Sequence, residues 1–167
     1  MLITIVTVIY ALPPPPISTF NPYIIHWNAN GLGTRVRLGE FQRLLQEYVP
    51  MCICVQHVGQ FDSNILNYEL VSQSHNTNNE LGTSIYVHCK LTFHIIPIPN
   101  AFLQHSPVIL HIAGDSSITT CNIYKQPAYH YDMSVLQEFI NSLPQPVLLM
   151  GDFDRHKVAL CGVVPAK

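Results

Sequence analysis

Two short apolar runs set the strongest limit on what this chain can fold into. Residues 51–56, Met-Cys-Ile-Cys-Val-Gln, and residues 147–151, Val-Leu-Leu-Met-Gly, carry almost no polar side chains. Each is too short for an ordinary buried helix and suits a strand covered on both faces. Each also follows a helix pattern that stops at a proline. Phe41, Leu44, Leu45 and Tyr48 recur at i, i+3, i+4, i+7 ahead of Pro50, and the residue before a proline is pushed out of the helical region. Val135, Leu136, Phe139, Ile140 and Leu143 form the second apolar face, with Ser134 and Gln137 in capping-box spacing and Pro144 and Pro146 after it. A strand over residues 23–28 precedes the first helix. Further strands are expected at 67–72, 82–88, 91–96, 107–113 and 117–124, bounded by Gly, Pro and Asp-Ser signals. The order β-α-β, a meander, then α-β predicts a layered α/β sandwich with two mixed β-sheets flanked by helices.

Strands covered on both faces need few charges, and the composition agrees. Charged residues make up 11% of the chain and apolar ones 48%, against about 25% charged in an average globular domain. That excludes long disordered tracts, coiled coils and charge-rich helical arrays. The net charge of −2 excludes a domain that grips nucleic acid by bulk positive charge.

Residues 1–22 read as a segment outside the domain. The first twelve, MLITIVTVIYAL, are apolar but shorter than the roughly 20 residues a membrane span needs. No basic residue precedes them and no A-x-A site follows, so a secretion signal is disfavoured. The run Pro13–Pro16 then reads as a stiff linker. The domain is expected over 23–167, inside the cell, in cytoplasm or nucleus, with no membrane association. The five cysteines form no C-x-x-C pair, and most lie in strand-like runs. They are expected as buried free thiols, not as zinc ligands.

The informative polar residues sit at strand ends, where open α/β sheets assemble their sites. Trp27-Asn28-Ala29-Asn30-Gly31-Leu32 follows the first strand, and Val55-Gln56-His57 closes the second. Asn122-Ile123-Tyr124-Lys125-Gln126-Pro127 and Gly151-Asp152-Phe153-Asp154-Arg155-His156 close two later ones. Five of the eight basic residues, Arg35, Arg37, Lys125, Arg155 and Lys157, lie within a few positions of these segments. Local cations of this kind can contact phosphates despite a negative total.

In this order the segments resemble the endonuclease/exonuclease/phosphatase superfamily, in its apurinic-endonuclease-like branch. The chain is similar in particular to the endonuclease domain of non-LTR retrotransposons. Those domains read W-N-C-N-G-L, L-Q-E-T, I-Y-x-P-P, G-D-F-N-A-H-H and L-W-G. This chain reads WNANGL, VQHV, IYKQP, GDFDRH and LCG, with Leu81-Gly82-Thr83-Ser84-Ile85-Tyr86 resembling the family's G-G-V-A-I-Y strand. The likeness runs from about residue 23 to residue 162. It implies hydrolysis of DNA phosphodiesters with Mg²⁺ and no small-molecule cofactor. It further implies catalytic roles for Asn28, Tyr124, Asp152 and Asp154, and metal ligands at Asn28, at position 57 and at Asp152. Substrate contacts would come from Asn30, Arg35, Arg37, Lys125, Arg155 and His156.

The sequence departs from the family at three places. The metal-binding glutamate is His57, and imidazole suits zinc or copper better than Mg²⁺. The asparagine of G-D-F-N is Asp154, a second carboxylate beside an anionic phosphate. Only thirteen residues follow Asp154, without the family's final Asp-His segment, so the second sheet is expected to be incomplete at the C-terminus. The resulting expectation is a degenerate, truncated copy with little or no nicking activity. The alternatives are an active nuclease with an altered site, and a non-catalytic module that uses the cleft for nucleic acid or protein. Phosphatase branches that act on phosphoinositides or sphingomyelin fit W-N-x-N-G-L with G-D-F-x-x-H less well.

Overall fold

The computed structural model describes residues 3–7, 21–29, 35–58, 65–74, 82–97, 104–113, 116–124, 133–152 and 162–164. These residues form two five-stranded mixed sheets and two helices. The first sheet contains β1 (Ile3–Thr7), β2 (Asn21–Asn28), β3 (Pro50–Gln56), β4 (Tyr68–Ser74) and β5 (Thr83–His88), in the order β1-β2-β3-β5-β4. The second contains β6 (Thr92–Ile95), β7 (Gln104–Ala113), β8 (Ser116–Tyr124), β9 (Val147–Asp152) and β10 (Gly162–Val164), in the order β10-β9-β8-β7-β6. Helix α1 (Arg35–Tyr48) joins β2 to β3 and α2 (Met133–Ser142) joins β8 to β9. Both helix-joined pairs are parallel, and every other pair is antiparallel. The two sheets therefore repeat one pattern, a crossover pair flanked by antiparallel strands.

Side-chain alternation along each strand sorts the core into three layers. Ile24, Cys52, Cys54, Ile85, Val87, Val108, Leu110, Ile118, Leu148 and Met150 pack between the sheets. Ile25, Trp27, Ile53, Val55 and Tyr86 face the other way and meet Phe41, Leu44 and Leu45 of α1. Cys121, Ile123, Val147 and Leu149 meet Leu136, Ile140 and Leu143 around α2. The order is helix, sheet, sheet, helix. All seven residues of β3 are buried, as its apolar run predicts. Trp27 stacks on Phe41 with ring centroids 5.3 Å apart, and Phe41 meets Tyr86 at 5.5 Å, so aromatic contact fixes α1 on its sheet.

Helix α1 ends where the sequence requires. Val49 takes the left-handed conformation, with φ of 41°, and its N–H still reaches Leu45 O at 2.9 Å. Asn21 then closes the exposed carbonyls: its backbone N–H donates to Val49 O and its side-chain amide to Tyr48 O, both at 2.7 Å.

Three expectations change. Residues 1–22 were expected to stand outside the domain, but Ile3–Thr7 pairs antiparallel with Tyr23–Trp27 as an edge strand. Its five residues are all β-branched, which favours a strand, and the outer edge of β2 is open to pairing. The proline run lies outside the described residues. Helix α2 starts ahead of the expected cap: Ser134 lies inside it, after Met133, and Gln137 donates to Asn141 Oδ1 at 3.1 Å, one turn on. Val135 is exposed because the buried stripe follows Leu136, Ile140 and Leu143. Of the cysteines, Cys52, Cys54 and Cys121 are buried thiols, whereas Cys89 is exposed in the turn after β5 and Cys161 lies outside the described residues.

That turn is held by a buried histidine. His88 Nδ1 accepts the backbone N–H of Lys90 at 3.3 Å, and Tyr68 packs edge-on against the ring at 5.2 Å. Burial, and then the Lys90 charge, push the His88 pKa below its ordinary value of 6.5. The folded chain thus binds this proton more weakly than the unfolded chain. The stabilisation is full above about pH 6.5 and is lost as pH falls through the lowered folded value. The thermal midpoint should drop on acidification from about pH 7 to about pH 5. It should drop less in His88→Asn, which keeps an acceptor without titrating. Equal pH slopes in the two proteins, read by circular dichroism, would contradict this role.

Candidate functional site

The strand ends singled out by sequence come together because of register. In the parallel pair β2–β3, Asn28 lies opposite Gln56, the last residue of each strand. In the parallel pair β8–β9, Tyr124 lies opposite Asp152, again the last of each. Both pairs terminate at the same end of the sandwich, because side chains bridge them there. Gln56 Nε2 donates to Ile123 O at 2.5 Å. Asn122 Nδ2 donates to Val55 O at 2.8 Å and to Ser84 O at 3.2 Å. Each sheet contributes one fully buried amide that binds the other sheet's backbone. The carbonyl partners fix the amide orientation, since only the NH₂ side can donate.

Above this bridge the chain turns sharply. His57, directly after Gln56, takes a left-handed φ of 55°, a conformation in which histidine is enriched but still uncommon. Its ring meets Tyr124 edge-on, with centroids 4.6 Å apart and planes at 74°. The residue at the implied glutamate position of one sheet therefore touches the implied catalytic tyrosine of the other. Asn28 and Tyr124 are both half-buried, so both border the surface at this end. Ala29 N–H donates to Gln56 O at 3.0 Å and ties the start of the WNANGL turn to β3.

Helix α1 begins after this turn, so its N-terminus, with its partial positive charge, belongs to the same end. Arg35 opens the helix and is exposed. Arg37 is paired with Glu40, with Nη1 2.8 Å from Oε2, which offsets its charge. Asp152 is located as the end of β9 by its backbone register. Asn30, Lys125, Asp154, Arg155 and His156 lie outside the described residues.

The side chains described at the strand ends are the Asn28 amide, the His57 imidazole and the Tyr124 phenol, whereas Mg²⁺ prefers carboxylate oxygens; Asp152 ends β9 beside them and is placed by its backbone alone. Among the described residues no three His, Cys, Asp or Glu side chains gather to hold a metal ion. Nor is any described helix long and apolar enough to cross a membrane.

Sequence reading passed over Asn122 as a site element, although it lies in a quoted segment. A usable signal was there: an amide two residues before Tyr124 in a period-2 strand shares Tyr124's face, and that face is the sheet interface. Replacing Asn122 by Leu keeps its bulk but leaves two buried carbonyls without their donor. The expected loss is about 2–4 kcal/mol of stability. Asn122→Asp should cost more, because a carboxylate would face two carbonyl oxygens. Urea unfolding midpoints for both variants check the order.

No protein-family model matches this sequence, and no curated protein matches it. Solved structures do. The endonuclease domain of TRAS1, a telomere-specific non-LTR retrotransposon, superposes with a TM-score of 0.62 at 12% identity, over 77% of this chain and 58% of that one. The 3′ phosphatase NExo from Neisseria, bound to a product DNA hairpin, gives 0.52 at 20% identity, over 78% and 56%. D. rerio TDP2 complexed with a single-strand DNA product gives 0.50 at 17% identity, over 77% and 58%. The chain thus has the fold of endonuclease/exonuclease/phosphatase proteins and spans less than two thirds of the length of these neighbours.

Proposed function

We propose that this chain is an endonuclease-type domain of a non-LTR retroelement whose cleft receives a DNA phosphodiester and hydrolyses it weakly or not at all. One observation carries the reading. The cross-sheet amide bridge brings the described parts of four quoted segments, Asn28, Gln56–His57, Tyr124 and the backbone of Asp152, to one end of the sandwich, which supports the retrotransposon resemblance. The shared fold with the TRAS1 endonuclease domain supports the same reading.

The fold supplies positioning. Tyr124 and Asp152 share a register position, so a phosphate at the end of β8 lies beside the end of β9. Asn28 offers an amide from the opposite sheet, and Arg35 a cation at the start of α1. The resemblance implies a divalent ion that would stabilise charge on the phosphate. This chain offers it His57 where a carboxylate is needed, which weakens Mg²⁺ retention and lowers the rate. The TDP2 and NExo structures each contain product DNA, which favours DNA over a lipid phosphoester as the ligand here.

The test is nicking of supercoiled plasmid by the purified chain with Mg²⁺. The wild type should be slow. His57→Glu should raise the rate by about tenfold or more, since it returns a charged ligand to the site. Asp152→Ala should abolish whatever remains. Robust wild-type nicking would overturn the proposed loss of activity, and no gain in His57→Glu would remove His57 as its cause.

A second reading, nucleic-acid binding without cleavage, is favoured by the exposure of Arg35 at the start of α1. It predicts that DNA affinity falls with salt and that Arg35→Ala reduces the slope of log K against log salt by about one unit. Fluorescence anisotropy over a salt series measures this. An affinity independent of salt would rule it out.

A further inference from the structure

A second cluster lies on the outer face of the second sheet, at the end opposite the candidate site. His94 in β6 and His111 in β7 approach until Nδ1 of the first is 2.8 Å from Nε2 of the second. Their ring centroids are 4.9 Å apart and the planes are nearly perpendicular, at 79°. His94 is exposed and His111 half-buried.

The backbone builds this approach. Thr92 pairs with His111, and His94 with Ile109, so the two histidines are diagonal neighbours on one face of an antiparallel pair. Between them Phe93 pairs with Leu110 on the opposite face, where both pack into the core between the sheets. A slip of β6 by one residue would expel Phe93 from that core and turn the His94 imidazole inward, away from His111. The register, and with it the imidazole spacing, is therefore held by hydrophobic packing that does not depend on what the histidines bind. The rings share one hydrogen, and the rest of each edge remains available because the pair lies beyond the patch of sheet that α2 covers.

We propose that His94 and His111 form a two-imidazole chelate for a divalent transition cation of the nickel or copper class. Two metal–nitrogen bonds of about 2.0–2.1 Å meeting at a right angle place the nitrogens about 2.9 Å apart; a tetrahedral angle requires about 3.3 Å. The observed 2.8 Å is the length of the hydrogen bond between the rings, and it holds both nitrogens within chelating distance before the outward swing that either angle requires. Cis positions of square-planar or octahedral coordination are the preference of Cu²⁺ and Ni²⁺ over tetrahedral Zn²⁺. On binding, the hydrogen between the rings passes to the outer nitrogen of its own imidazole. Both rings then coordinate as neutral ligands, and no net proton is lost. Each ring swings slightly outward so that the two lone pairs converge, which the exposure of His94 permits. Among the described residues no third His, Cys, Asp or Glu joins them, so water completes the coordination sphere. The site is independent of the proposed nuclease reading, because it lies at the far end of the sheet and shares no residue with it.

The test uses the whole chain and Ni²⁺ alone, which does not oxidise the exposed Cys89 thiol. Calorimetric titration should give one saturable site that is tighter for Ni²⁺ than for Zn²⁺. His94→Asn and His111→Asn should each weaken it by at least about tenfold, since either change leaves a single arm of the chelate. A readout on the unaltered chain guards against misfolded variants. Ni²⁺ should protect His94 and His111 from carbethoxylation by diethyl pyrocarbonate, mapped by mass spectrometry, ahead of the chain's other seven histidines. Absence of saturable binding below the millimolar range, unchanged affinity in both folded variants, or protection elsewhere with these two left reactive would overturn the proposal.

Discussion

The reciprocal amide bridge between the two sheets is the interaction on which the rest of the arrangement depends. Gln56 and Asn122 occupy fully buried positions between the sheets, at the edge of a cluster of Ile, Val, Leu, Met and Cys. Hydrophobic burial alone is non-directional and would hold the sheets together in many relative offsets. Two amides that must each find a backbone carbonyl of the opposite sheet accept very few of them, because an unmet buried donor is costly. The bridge therefore sets where the ends of β3 and β8 stand relative to each other. The contact between His57 and Tyr124 follows from it, since each ring lies one or two residues beyond an amide.

The same arrangement links the fold to its use. Parallel crossover pairs bring successive strands to one end, and each sheet contains one such pair. Stacking the sheets with the pairs aligned brings four strand ends, two per sheet, to one end of the sandwich. Asn28 and Tyr124, one from each sheet, are half-buried there, and α1 starts at the same end. His57, where the resemblance implies a glutamate, takes a left-handed backbone position just beyond the buried layers.

Much of the architecture was legible in sequence. The run 51–56 and the stripe Phe41, Leu44, Leu45 carry period and length that physical chemistry reads directly, and both lie where expected. Misreadings occurred where local pattern competes with a partner distant in sequence. Residues 3–7 resemble a leader in isolation and become a strand only because β2 offers an open edge. Ser134 and Gln137 have capping spacing, yet the helix begins ahead of them. The strand-end residues Asn28, Tyr124 and Asp152 were found through their motifs. Asn122 was not, since a buried amide gives no sign in sequence of which carbonyl it will meet.

The sequence by itself determined both helices, the strands β2 to β9 and most of their apolar faces, because those follow from periods of 2 and 3.6 and from proline positions. It also determined that polar residues cluster just after four strands. Only the tertiary structure decided that those four ends share one mouth, that Gln56 and Asn122 hold them there, and that His94 and His111 meet. Such contacts join residues up to 67 positions apart. They depend on strand order, register and sheet stacking, which arise from packing the whole chain and have no local signature.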